Sequence, residues 1–152
     1  MTVVLDIWRV PRTAVPVALW RMARDPFALS GLPGLLFHKS LGTGAGKRFT
    51  ASDADLRQWA LLTCWSGPDH SAESVRRRWN ARAEQHTRLV LGTIASHGSW
   101  SGREPFTVDP ALVAHPGPLA AITRARVRTR QWRAFQRAVP PVAALLPDQE
   151  GL

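Results

Sequence analysis

The residues best equipped for chemistry are basic and glycine-rich. Gly42-Thr43-Gly44-Ala45-Gly46-Lys47-Arg48 invites comparison with a phosphate-cradling loop. Such a loop needs four residues between its first glycine and the Gly-Lys pair, then Ser or Thr; here three intervene and Arg48 follows. The segment is therefore expected to be a mobile hairpin tip lying over a pocket. Arg124, Arg126, Arg128 and Arg130 recur at every second position. On a strand this sets four guanidinium groups on one face, either solvated or able to hold an anion. Arg76, Arg77 and Arg78 fan around a predicted helix and read as a solvated face. Cys64 stands alone, which excludes an intrachain disulfide and a cysteine-based zinc site. In mid-strand it is expected to be a small buried core residue.

Positioning such groups falls to a unit over residues 59–102 that reads as strand, helix, strand. Trp59, Leu61, Thr63 and Trp65 alternate with Ala60, Leu62 and Cys64, the period of a strand over 58–65. Ser66-Gly67-Pro68-Asp69 breaks it. Ala72, Val75, Trp79 and Ala83 then recur at helical steps, predicting a helix over 69–86 with His86 at its end, where a cation suits the dipole. Residues 87–95 return to an extended pattern, and a tight aromatic turn follows at His97-Gly98-Ser99-Trp100-Ser101-Gly102.

Upstream, residues 2–10 alternate as a first strand. Pro16 opens a helix whose apolar stripe is Leu19, Trp20 and Ala23, and Pro26 stops or kinks it before one further turn over 27–32. A second strand covers 35–41. The order strand, helix, strand, strand, helix, strand is that of the ferredoxin-like α+β unit, with helices on one face of an antiparallel sheet. It occupies about 1–106, and a proline-containing linker covers 107–118. A fifth strand over 119–128, a helix over 131–139 with Trp132 and Phe135 inward, and the break at Pro140-Pro141 echo the beginning of the chain. Residues 119–152 are thus expected to start a second, incomplete repeat, so that the chain ends early or is completed by another.

The 152 residues suit one domain of ordinary size, with 45% hydrophobic residues. Seven tryptophans and no tyrosine favour a core or cavity lined with large flat rings. The formal charge of +9, carried almost entirely by arginine, attracts anions: nucleic acid, a membrane surface or ligand carboxylates. No apolar run approaches about 18 residues, and the start carries Asp6 where a signal peptide has a basic region. The expected setting is reducing and cytoplasmic, with a membrane surface as a place for peripheral work.

Several stretches together resemble the spheroidene monooxygenase family of carotenoid-oxidising enzymes. They are residues 35–50 with Lys39, Gly42, Gly44, Gly46, Phe49 and Thr50; Thr63-Cys64-Trp65; residues 98–106 with Trp100-Ser101-Gly102 and Pro105-Phe106; and residues 117–125, Gly-Pro-Leu-Ala-Ala-Ile-Thr-Arg-Ala. The resemblance implies a dimeric α/β-barrel fold in which two ferredoxin-like units pack sheet to sheet, as a homodimer or with another chain. It also implies haem, dioxygen chemistry with an external electron donor, and oxygen insertion into a linear carotenoid. His38 stands where the family tends to have tryptophan. Related haem-binding barrels take their iron ligand from a helix of the second repeat, a region this chain does not reach.

Haem iron needs an axial donor, most often a neutral imidazole. His70, at a helix start, and His97 and His115, in loops, read as solvated. His86 or His38 is the expected ligand, because regular elements position a donor better than loops do. Lys39, Trp65, Trp79, Trp100, Arg124 and Arg126 complete the candidate cofactor-binding set, with the arginines available to haem propionates. Three functions follow: a haem-dependent monooxygenase acting on an apolar polyene; a barrel that binds an apolar or haem-like ligand without turnover, or a fragment of such an enzyme; and a nucleic-acid binder. The tryptophans fall on apolar faces and leave no stacking platform among the arginines, so nucleic acid is not an expected partner.

Overall fold

The structure is a computed structural model that describes residues 1–44, 54–67, 72–114, 117–122, 128–135 and 137–138. Its elements are β1 (Thr2–Arg9), α1 (Val15–Leu29), β2 (Leu35–Gly44), β3 (Ala54–Trp65), α2 (Glu73–Asn80) and β4 (Gln85–Leu91). The sheet order is β2-β3-β1-β4. β1 pairs antiparallel with both β3 and β4. This is the expected ferredoxin-like α+β unit, and β1, the first strand made, is one of its two central strands.

The pairing register sorts side chains onto two faces. Val4, Asp6 and Trp8 lie opposite Thr63, Leu61 and Trp59 on one side and Val90, Arg88 and His86 on the other. This is the face the helices cover. Trp8, Trp59, Leu61, Trp65, Ala18, Leu29, Val75 and Trp79 form its core. On the opposite face Val3, Phe37, Leu62 and Cys64 are buried, with Leu5, Leu41, Leu91, Trp100 and Phe106 packed on them. Trp100 and Phe106 come from the chain after β4, which covers this face. This segment is pinned where Asp109 N donates to Thr93 O (2.8 Å) and the Asp109 carboxylate accepts from Ala111 N (3.0 Å).

Helix α1 differs from expectation in phase and in length. The stripe Leu19, Trp20 and Ala23 faces outward, and the inward residues are Ala18, Arg21, Asp25 and Leu29. Polar pairing with α2 sets this rotation. Asp25 accepts from Trp79 Nε1 at 2.7 Å and from the Arg78 guanidinium at 3.1 Å. Arg21 donates to the Arg78 carbonyl and lies over the Trp79 ring at 5.7 Å. Pro26 sits inside the helix instead of ending it. It removes one donor in the last turn only, and Ser30 closes the end by returning its N–H (3.0 Å) and its hydroxyl (2.8 Å) to the Pro26 carbonyl.

Helix α2 stops at Asn80, and His86 lies on β4 instead of at the helix end. Two bonds cause this. Arg82 N turns back to Trp79 O at 3.0 Å, and Glu84 N donates to Arg9 O at 2.7 Å, which starts the pairing with β1. β3 begins four residues earlier than the expected 58, and β4 ends at Leu91 instead of 95. Gly34, before β2, has φ +78, and a side chain there would meet Ser66 Oγ at 3.3 Å.

By backbone contacts the chain divides into Met1–Gly42 with Leu56–Pro116, which is the unit above, and Thr43–Asp55 with Gly117–Leu152. In the second unit residues 117–122 are irregular and exposed, and 132–135 and 137–138 are helical. Trp132 stacks on Phe135 (6.0 Å, 28°) and is 42% exposed. Half of the expected fifth strand, with Arg124 and Arg126, lies outside the described residues, as do His70, His115 and the glycine-lysine segment beyond Gly44, whose first residues Gly42–Gly44 end β2. Among the described residues no helix is long and apolar enough to cross a membrane.

Asp25→Ala should be costly, because it leaves Trp79 Nε1 unpaired in the interior and removes the countercharge of Arg78 and Arg21. The expected loss is about 2–4 kcal/mol. Phe27→Ser, on the outward side of the same helix, should stay within about 0.5 kcal/mol. Urea unfolding of the two variants measures the contrast.

Candidate functional site

A cleft of about 490 Å³ opens at the edge strand β2, beside the end of α1. This is within the range of small-molecule pockets, roughly 300–1,000 Å³. Leu29, Leu35, Leu36 and Phe37 supply its apolar wall. His38, Lys39 and Arg103 supply its basic groups, and Ser30 and Ser101 its hydroxyls. Among the described residues lining it there is no carboxylate.

Each wall has a local cause. Gly31, at φ +82, turns the chain out of α1 and toward β2. Ser101 and Arg103 arrive through the aromatic turn. Trp100 N donates to Arg103 O at 2.7 Å, and Arg103 N returns to Trp100 O at 3.2 Å. Ser101 holds φ +56, an uncommon conformation for a residue with a Cβ. The turn is seated by Trp100, whose ring meets Phe37 at 5.6 Å and 60°. Phe106 meets Phe37 edge-on at 6.4 Å.

The basic groups differ in what they offer. Partial burial pushes the His38 imidazole below its usual value, and the neighbouring Lys39 charge adds to this. The ring is therefore neutral at pH 7, which leaves one nitrogen lone pair free to accept a proton or bind a metal. Lys39 and Arg103 are cations beside an apolar wall, an arrangement that suits a ligand with a flat apolar body and an anionic edge. Among the described residues no three His, Cys, Asp or Glu side chains converge as they would around a bare metal ion.

The residues expected from sequence thus separate. His38 and Lys39 line the cleft, and Trp100 braces its wall. Trp65, Trp79 and His86 belong to the helix-covered face. Trp65 is fully enclosed there, with no partner for its Nε1 among the described residues. Trp79 is held by Asp25. His86 caps a three-ring stack. Its imidazole lies on Trp8 at 5.2 Å and 8°, and Trp8 lies on Trp79 at 5.1 Å and 20°. His86 Nε2 is 2.8 Å from Asp6 Oδ1. Sequence reading missed Asp6, because it falls in an alternating strand as an ordinary outward residue would. It also missed Arg103 and Ser101 as cleft residues. Their only signal was the glycine-flanked tryptophan of the turn.

Asp6 is 2% exposed. Burial raises its carboxyl above the usual carboxylate value, and the hydrogen bond to His86 and the charge of Arg88 offset this only in part. Cys64, buried on the other face, has its thiol pushed up to about 11 by burial.

No protein-family model matches the chain. Relatives match over nearly all of it. The spheroidene monooxygenase of Rhodobacter capsulatus is 27% identical over 157 aligned positions, covering 97% of this chain and 64% of that protein. The spheroidene monooxygenase of Cereibacter sphaeroides is 29% identical over 154, covering 95% of this chain and 46% of that protein. The chain is similar to spheroidene monooxygenases. It spans 64% and 46% of the lengths of these two relatives. Among solved structures, an antibiotic biosynthesis monooxygenase superposes with a TM-score of 0.42 at 12% identity, covering 62% of this chain and 100% of that one. A point mutant of MhuD with two manganese protoporphyrin IX bound per active site gives 0.41 at 17% identity, covering 65% and 100%.

The Asp6 carboxyl predicts a pH dependence of stability. A carboxyl raised by folding stabilises the native state below its unfolded value, near pH 4, and that contribution is lost as pH rises through the folded value. Asp6→Asn removes the ionisation while keeping a group that can bond His86. Its urea midpoint should equal or exceed that of the parent at pH 7, and the difference should shrink toward pH 4.

Proposed function

We propose that this chain forms part of a haem-dependent monooxygenase that inserts oxygen into a linear carotenoid or a similar apolar polyene. The similarity to two spheroidene monooxygenases over 95–97% of the chain carries this reading. The cleft supports it by the chemistry of its lining. A neutral His38 is the donor that haem iron takes, Lys39 and Arg103 match the two propionates, and Leu35 and Phe37 match the porphyrin's apolar body. His86 is the weaker candidate for iron, because its Nε2 faces Asp6 at 2.8 Å and its ring is stacked on Trp8.

Bound haem would supply an iron centre for activating dioxygen, with two electrons from an external donor. The chain's own part is to bind and orient. His38 would hold the cofactor through its imidazole, Lys39 and Arg103 would hold its carboxylates, and the wall would exclude water from an apolar substrate. Pairing with a second copy, or completion by another chain, would close the site. A second reading is that the cleft holds a haem-like or apolar ligand without turnover, supported by the apolar wall of Leu29, Leu35, Leu36 and Phe37.

Haemin titration tests the proposal. The purified chain should develop a Soret band with haemin. His38→Ala should weaken binding by about tenfold or more, equivalent to about 1.4 kcal/mol, whereas His86→Ala should leave it unchanged. A chain that takes up no haemin rules out both the oxygenase and the haem-binding reading. Loaded chain that consumes a linear carotenoid only with reductant and dioxygen separates the first reading from the second.

A further inference from the structure

Helix α1 turns charge inward and large apolar groups outward. Arg21 and Asp25 are buried against α2, while Leu19, Trp20 and Phe27 are 48%, 58% and 80% exposed. Pro16 and Ala23 lie on the same outward side and are exposed too. Single exposed apolar residues are ordinary, but a row of them along one helix marks a surface that meets something apolar.

The charges on this surface indicate what. Arg24 holds its guanidinium over the Trp20 ring at 5.4 Å, and Arg12 is exposed in the 3-10 turn leading into the helix. Asp25, the sole acid of α1, is turned away and neutralised by α2. Arg77, exposed on α2, and Arg82, just beyond its end, add positive charge to the helical layer, against one exposed acid on α2, Glu73, which pairs with Arg76. The outward side of α1 is thus apolar and cationic without a carboxylate. A second copy of this face would bring arginine against arginine. An anionic bilayer satisfies both parts. Trp and Phe enter the headgroup–acyl boundary, and the arginines meet lipid phosphates.

We infer that the outward face of α1 docks this chain on an anionic lipid surface, with Leu19, Trp20 and Phe27 inserted and Arg12 and Arg24 at the headgroups. Docking has a consequence for the cleft. Leu29, Ser30 and Gly31, two to four residues after Phe27, are among its lining residues. An apolar substrate dissolved in the bilayer would enter without crossing water. This last step rests on the function proposed above; the docking itself does not.

Flotation of the 152-residue chain with vesicles of phosphatidylcholine, with and without phosphatidylglycerol, tests the docking. The chain should float with the anionic vesicles, less with neutral ones, and less at high salt. The double variant Trp20→Ser, Phe27→Ser should lose about tenfold or more in partitioning, with unchanged circular dichroism and urea midpoint. Arg24→Glu should weaken binding to anionic vesicles alone. Failure to float at low salt overturns the inference, as does a double variant that floats as well as the parent. A dimer that the double variant converts to monomer also overturns it, because the face would then belong to a second copy. Flotation requires neither haem nor turnover, so a negative haemin titration leaves this result standing.

Discussion

A carboxylate placed inside a protein must be paired there, and Asp25 is such a group. Its partners, Trp79 and Arg78, both belong to α2. To reach them α1 must rotate until Arg21 and Asp25 face the second helix. That rotation sets the helix–helix joint and at the same time turns Trp20 and Phe27 away from the core. It also fixes where α1 ends, and with it the position of Leu29 and Gly31 beside Phe37 and His38. One buried acid therefore governs the helical layer, the exposed face and one wall of the cleft.

The two faces of the sheet are finished by different means. The helix side is a layer of large rings with polar ends. Trp8 donates to Asn80 at 2.7 Å, Trp59 to the Leu56 carbonyl at 2.8 Å, and Trp79 to Asp25. These bonds fix ring orientation, which hydrophobic burial alone would leave loose. The other face is closed by a segment without strands or long helices. Trp100 and Phe106 cover Phe37, and the backbone bond between Asp109 and Thr93 holds the loop to the end of β4. A loop is suited to this role where a ligand must approach, since it shapes the cleft without a rigid second layer.

Much of this was legible from residue spacing. β1 and α2 were readable because each is buried on a near-regular period, and β3 because its residue types alternate, although residues 59–65 are in fact buried on both faces. The split ferredoxin-like order followed from their succession, and the similarity to spheroidene monooxygenases agrees with the segments that suggested it. The phase of α1 was not legible. Leu19, Trp20 and Ala23 form a plausible local stripe, and the interaction that overrides it joins residues more than fifty positions apart. His86 was misplaced for a similar reason, since the bond that ends the helical region runs from Glu84 to Arg9. His38 and Lys39 were readable as neighbouring basic groups on one strand. Arg103 was not, because it reaches the cleft through a turn whose left-handed Ser101 no spacing rule demands.

Cys64 lies on the face that loop covers, wholly buried, and burial pushes its thiol up to about 11. Thiolate, not thiol, reacts with alkylating reagents and peroxides. In the closed sheet this sulfur is therefore chemically silent. Its labelling by a maleimide would proceed only through molecules in which the loop has lifted or the strands have parted. The lone thiol thus serves as an internal clock for opening, and its modification rate would read directly how often the loop-covered face is exposed to water.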